Sequence, residues 1–191
     1  QPGRTHWQAF VHNNHGGVDD HERLLIGANR IERDLDSSLW ELGLSGAANW
    51  STQSLNWGAD YSDDDEALLQ VYGVNPVTGQ RRLLGIPMEH QHFINSGVYL
   101  QYRWQVNPYW AYTLNGRYDD HNLYGDSRNY RLGVTGQLSP QLAWKLLYGT
   151  SYKAPSAAQL YAQPLTSGDV IGNPGLRPET ASFWESQLSW Q

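Results

Sequence analysis

From Val98 the chain alternates with a period of two. Val98, Leu100, Tyr102, Trp104 and Val106 share one face, and Tyr99, Gln101, Arg103 and Gln105 the other. Successive strand side chains point to opposite sides, so this run predicts a strand with one apolar and one polar face. Asn107-Pro108 marks a tight turn. The next run sets Trp110, Tyr112, Leu114 and Tyr118 against Thr113, Asn115, Arg117 and Asp119. A third opposes Tyr130, Leu132, Val134 and Leu138 to Arg131, Thr135 and Gln137, and after Ser139-Pro140-Gln141 a fourth carries Trp144, Leu146, Tyr148 and Tyr152. Earlier, Trp40, Leu42 and Leu44 oppose Glu41 and Ser45, and Leu55, Trp57, Ala59 and Tyr61 oppose Asn56 and Asp60. Trp184, Leu188 and Trp190 fit one more strand. The pattern predicts about eight or nine strands.

The runs reach ~10–14 residues, whereas strands of soluble sandwiches sit near ~5–6 and a tilted membrane strand needs ~9–11. Connections alternate in length. Those at Ala48–Thr52, Asn107 and Ser139 are short; Asp63–Gln91 and Pro155–Thr180 are long and rich in Gly, Pro and Asp. Short turns at one end and long loops at the other are the pattern of an outer-membrane barrel. Trp104, Trp110 and Trp144 fall beside short turns, and Tyr61, Tyr118 and Tyr152 beside loops, as two aromatic girdles would. The expected fold is all-β, an antiparallel transmembrane β-barrel segment with a wet lumen. His6–Asn14 is a candidate strand, while Asn14–Ser37 reads as a loop with some internal structure.

Composition sharpens this. Only 39% of the 191 residues are apolar and mean hydropathy is -0.62. No run approaches the ~18 apolar residues of a spanning helix. Yet there are 9 Trp and 12 Tyr against 3 Phe, and such amphipathic aromatics suit a water–lipid boundary. On composition alone a soluble sandwich or sugar-binding module competes equally. A net charge of -6 with no basic cluster argues against a nucleic-acid partner. The absence of cysteine is compatible with several compartments. Gln1-Pro2-Gly3 shows no signal-peptide features, consistent with a removed signal or an excised segment.

Two sequence boxes carry more. Tyr148-Gly149-Thr150-Ser151-Tyr152-Lys153-Ala154-Pro155 precedes Gln159-Leu160-Tyr161, and Gly172-Asn173-Pro174-Gly175-Leu176-Arg177-Pro178-Glu179 follows. This resembles the barrel of TonB-dependent receptors, closest in wording to those for cobalamin and siderophores. There a strand ends in an aromatic-basic-Ala-Pro box and an Asn-Pro-x-Leu-x-Pro-Glu box opens the next. Gly116-Arg117-Tyr118-Asp119-Asp120 resembles the family's Arg-Tyr-Asp strand end. Tyr152, Lys153, Ala154, Pro155, Asn173, Pro174, Leu176, Pro178 and Glu179 read as structural. Pro155 cannot donate to a ladder and ends its strand, and Glu179 is placed to pair with Arg177 or Lys153. The resemblance implies a 22-stranded barrel filled by an N-terminal plug, a ligand bound at the extracellular mouth, and a TonB complex that pulls on the plug. Residues 1–191 would then be a partial barrel domain, without plug or C-terminal strands, in the bacterial outer membrane and in contact with its lipid and lipopolysaccharide.

Recognition is expected in the long loops. Tyr72, Tyr124 and Tyr161 are placed to pack against a siderophore or corrin. Arg81 and Arg82 would attract an anionic ferric siderophore or face lipopolysaccharide phosphates; His121, Gln163 and Asp169 complete the candidate set. Asp63, Asp64, Asp65 and Glu66 are a candidate calcium site, since calcium prefers several carboxylate oxygens, though an acidic run is more often a solvated loop. His90 and His92 share a strand face and are candidate metal or haem ligands, with ordinary loop-end histidines the favoured reading. Residues 156–172 hold no histidine, which counts against a haem receptor. A passive porin-like barrel is the other alternative. No strained nucleophile turn accompanies Ser96 and His92, so no enzyme is expected.

Overall fold

The alternating runs pair into hairpins. In the computed structural model, which describes residues 4–26, 29–85, 88–162 and 171–190, the strands are β1 (Arg4–Ile26), β2 (Asn29–Asn49), β3 (Gln53–Val74), β4 (Arg81–Gly85), β5 (Met88–Asn107), β6 (Trp110–His121), β7 (Gly125–Ser139), β8 (Leu142–Lys153) and β9 (Glu179–Trp190). One short helix, α1 (Ala157–Tyr161), lies between β8 and β9. The sheet order is β1-β2-β3-β5-β6-β7-β8-β9, with β4 folded back on the upper end of β3. Every pairing is antiparallel.

The apolar positions are turned outward to solvent. Leu42, Leu44, Val98, Leu100, Trp104, Tyr112, Leu114, Leu132, Trp184 and Leu188 are all exposed. A sheet that shows its apolar face to the outside has lipid as its natural solvent on that side. The opposite face is polar and hydrogen-bonded. Arg117 grips Asp119 from Nε at 2.9 Å and Asp60 from Nη2 at 2.7 Å, and Asn95 Nδ2 donates to Asp119 at 3.2 Å. Lys145 meets Glu185 at 3.0 Å on the same side. Gly97 lies beneath the Arg117 fork, where a Cβ would stand 2.3 Å from Nη2. A side chain there would have to push the Arg117, Asp119 and Asp60 side chains apart.

The short turns are built as expected. Asn107 Oδ1 accepts from the amides of Tyr109 and Trp110, both at 2.9 Å, and Ser139 Oγ accepts from Leu142 N at 3.1 Å. Such side-chain acceptors stand in for backbone partners at turns.

The expected loops need correction. Asn14–Ser37 is no loop: Asn14 pairs with Leu39, Gly16 with Ser37, and the hairpin closes at Ile26 and Asn29. Most of Asp63–Gln91 is strand as well. Asp63 to Glu66 continue β3 opposite Ile94 to Gln91 of β5, and only residues 75–80 form the turn into β4. Asp119, placed at the start of a loop, pairs with Ser127 inside the β6–β7 ladder. The extension of β2 and β3 has a small core of its own: Ile31, Ala67, Val71 and Val74 are buried there, but they follow no period of two, so no apolar–polar alternation marks these stretches as strand. Of Pro155–Thr180, the described residues up to Pro178 remain a connection except for α1, and Glu179 and Thr180 already belong to β9. Lys153 and Glu179 are ladder partners, but among the described residues no ion pair joins Glu179 to Lys153 or Arg177.

Strand lengths differ sharply. β1, β2 and β3 have 23, 21 and 22 residues, while β6, β8 and β9 have 12. About ten residues from each short turn span a membrane. The longer strands therefore rise ~25–30 Å beyond it at ~3.3 Å per residue and ~45° tilt.

Candidate functional site

The two boxes close on each other around α1. Pro155 follows the last residue of β8, and Ser156 caps the helix: Ser156 Oγ accepts from Gln159 N at 3.4 Å, while Gln159 Oε1 accepts from Ser156 N at 2.9 Å. This reciprocal pair is a capping box with Gln in the distal position. From the other side, Gly172 N donates to Ala162 O at 2.7 Å and Asn173 N to Gln159 O at 2.9 Å. A Cβ on Gly172 would meet backbone atoms of Leu160 and Ala162 at 2.5–2.6 Å. Asn173 Oδ1 then accepts from Gly175 N at 2.9 Å and turns the chain toward β9.

This clasp sits over an aromatic cluster at the ends of β5 and β6 that lie away from the short turn joining them. Phe93 and His121 have ring centroids 6.3 Å apart, Phe93 and Tyr161 6.5 Å, and His121 and Tyr124 4.5 Å. Leu160 and Ala157 are buried beneath the helix. Tyr124 Oη donates to Pro155 O at 2.8 Å, tying the β6–β7 turn to the first box. Asn122 Nδ2 donates to His92 O at 2.9 Å and its Oδ1 accepts from Ile94 N at 3.0 Å, holding the same turn against β5.

His121 is only 9% exposed, and its Nδ1 accepts from Leu123 N at 3.1 Å. Burial pushes the imidazole pKa down, with Asp120 working against that shift. The ring is thus held neutral with its proton on Nε2. Burial pushes the Tyr124 phenol up, and Tyr161 adds to this. Three expected ligand-contact residues, His121, Tyr124 and Tyr161, are therefore brought together. Phe93 was missed, although the two-residue period running back through Gly97 and Asn95 reaches it once β5 is extended.

The other candidates lie apart. Arg81 stacks over Tyr72 at 4.3 Å from the ring centroid and meets the buried Glu32 at 3.0 Å. Its charge is already matched by Glu32 of β2, whereas Arg82 is exposed. Gln163 and Asp169 lie outside the described residues. The four carboxylates divide between two faces of β3. Asp63 and Asp65 share the outward face with His92 and His90, at 3.0 Å each, and Asp64 and Glu66 are neighbours on the other face. Alternation thus prevents all four from holding a single ion. Among the described residues no three His, Asp or Glu side chains converge as metal ligands. The Asp63 hydrogen bond, with the charge of Asp65, raises the His92 pKa.

Comparison with known proteins agrees with the sheet. The family described as TonB dependent receptor-like, beta-barrel, matches residues 4–191. A vitamin B12 transporter of Photobacterium profundum is 30% identical over 95 residues, 50% of this chain and 14% of that protein. The siderophore receptor PirA of Pseudomonas aeruginosa superposes with a TM-score of 0.62 at 19% identity, over 99% of this chain and 36% of the receptor. The copper transporter OprC gives 0.65 at 14% identity, over 85% of this chain and 28% of the transporter. The chain thus spans well under half the length of each. These relatives are receptors and transporters rather than enzymes, and members of the family are outer-membrane β-barrels. The chain belongs to the TonB-dependent receptor family, as part of its β-barrel.

Proposed function

We propose that this chain forms wall and extracellular mouth of an outer-membrane receptor that takes up a scarce nutrient, a ferric siderophore or cobalamin, by TonB-driven transport. The observation that carries this reading is the mouth cluster. The paired boxes anchor α1 over Phe93, His121 and Tyr124, so Tyr161 is presented on a braced element at the rim. Rigid aromatic anchors on a braced rim suit a large, partly apolar ligand at low entropic cost. Gln163 and Asp169, in the same connection, and Arg82, on the β3–β4 extension, are the further contacts expected. The TonB complex would act through a plug within the barrel, and the outward apolar face would meet outer-membrane lipid and lipopolysaccharide.

The test is growth of a strain whose sole receptor is the full-length protein, on single ferric siderophores or cobalamin, with TonB intact or deleted. Growth on one of these that requires TonB supports the reading. Uptake that persists without TonB would instead favour the passive barrel, and growth on haem alone a haem receptor. Tyr161→Ala should slow uptake severalfold with the barrel still folded. Unchanged uptake of every nutrient tested would remove Tyr161 from the site.

A further inference from the structure

The sheet is not continuous at its extracellular edge. The β6–β7 ladder runs up to His121 and Gly125, and the β8–β9 ladder up to Lys153 and Glu179. Between them, the β7–β8 ladder stops at Arg131 and Gly149. Residues 125–130 of β7 and 150–153 of β8 therefore face one another without pairing, and the wall opens as a wedge. Tyr130 N donates to Thr150 Oγ1 at 3.1 Å near its apex. Unpaired strand edges present backbone donors and acceptors that water or a ligand must satisfy.

The wedge encloses about 580 Å³, within the range of small-molecule sites. Among its hydroxyls, Thr150 of β8 and Thr180 and Ser182 of β9 share the outward face, while Ser127 of β7 and Ser151 of β8 lie on the lumen side. Tyr124, Tyr152 and Pro178 supply flat apolar surface. Two guanidiniums border it. Arg128 is matched by Asp126 at 3.3 Å. Arg177, in the connection just before β9, has no carboxylate partner among the described residues. The outward hydroxyls of β8 and β9, the ring faces and a guanidinium with no carboxylate partner among the described residues are complementary to a polyol that also carries an oxyanion.

We propose that this wedge binds a sugar bearing a phosphate or carboxylate, with Arg177 holding the oxyanion and the β8 and β9 hydroxyls holding the ring. The site is distinct from the α1 mouth: of the mouth aromatics only Tyr124 borders both, and nutrient uptake is not the readout. Two sources supply this chemistry, the phosphorylated sugars of the outer-leaflet glycolipid and a soluble sugar phosphate. A wall opening at the membrane's outer boundary is reachable from either.

The experiment uses the full-length receptor in detergent, folded as judged by its heat-shifted gel mobility. Its probes are short-chain lipopolysaccharide with headgroup phosphates, the same lipid dephosphorylated, glucose 1-phosphate and glucose, with binding read by native mass spectrometry or calorimetry. At least one phosphorylated probe should bind better than its phosphate-free counterpart, and R177Q should weaken it by about tenfold, as loss of one charge-assisted pair does. Should R177Q not fold, Arg177→Lys, which keeps charge but loses the fork, and the phosphate-free probes on the unaltered receptor carry the same test. Phosphate dependence with the glycolipid alone assigns the wedge to the membrane headgroup; dependence with glucose 1-phosphate assigns it to a soluble ligand. No binding of either phosphorylated probe, or binding indifferent to both phosphate and Arg177, overturns the proposal.

Discussion

His121 shows how a side chain at the mouth is constrained from several directions. Its Nδ1 is occupied as an acceptor by the Leu123 amide, and rings of Phe93 and Tyr124 flank it. Protonating Nδ1 would set a donor against a donor in a partly desolvated site. Because the folded-state pKa is lowered, the unfolded segment takes up the proton first. Stability from this group is intact above the ordinary histidine pKa, ~6.5, and declines as pH falls from there through the folded value. Hydrogen exchange at the Leu123 amide and along α1 should therefore accelerate between pH 7.5 and 5.5, and His121→Phe should flatten that response. Gly172 is constrained by space instead. Gly172→Ala drives a Cβ against backbone of α1 and should loosen the clasp by ~1–3 kcal/mol, read as protease cutting near residue 160 while the barrel stays intact. On the inner wall, Arg117→Ala strands Asp119, which is 2% exposed. It should lower barrel stability by ~2–4 kcal/mol in a denaturant titration.

Among the elements, the stretches next to the short turns were legible in the sequence because two solvents write on them. Lipid outside and water inside force Val98 to Val106 and Trp110 to Tyr118 into alternation. Above the membrane there is no lipid face, and the few apolar side chains buried there, Ile31, Ala67, Val71 and Val74, follow no period of two, so Asn14 to Ile26 and Asp63 to Val74 resemble loops. The acidic run illustrates the point, since four consecutive carboxylates give no periodic signal although β3 parts them onto opposite faces. Part of the site was legible for a different reason. Tyr124 and Tyr161 stand out as aromatics in polar connections, whereas Phe93 was hidden by the misplaced start of β5. The pairing of Asp64 with Glu66 leads to a prediction for the β3 extension. Burial raises both acids; at Glu66 the Asp64 carboxylate adds to this, while at Asp64 the hydrogen bond to Glu66 works against it and the charges of Asp63, Asp65 and Glu41 add to it. A raised carboxylate pKa means that ionisation opposes folding above the folded pKa and that the penalty is relieved as pH falls through it. Glu66→Gln should therefore slow exchange across residues 63–66 and their β5 partners at neutral pH. The gain should shrink on acidification, and no gain at pH 7 would dismiss the pairing.

At the scale of the whole molecule, the outward apolar face and the inward Arg117 and Lys145 networks describe a wall between lipid and a wet lumen. Its rim is uneven. Strands of 20–23 residues (β1, β2, β3 and β5) stand beside strands of 12–15 (β6 to β9), so this arc is a parapet that steps down to a sill. Under the proposed function, a bulky ligand arriving from outside would meet a barrier at β1 to β5 and find its approach across the sill. The aromatic mouth is at that doorway, and traffic into the lumen past this arc has a side as well as a direction.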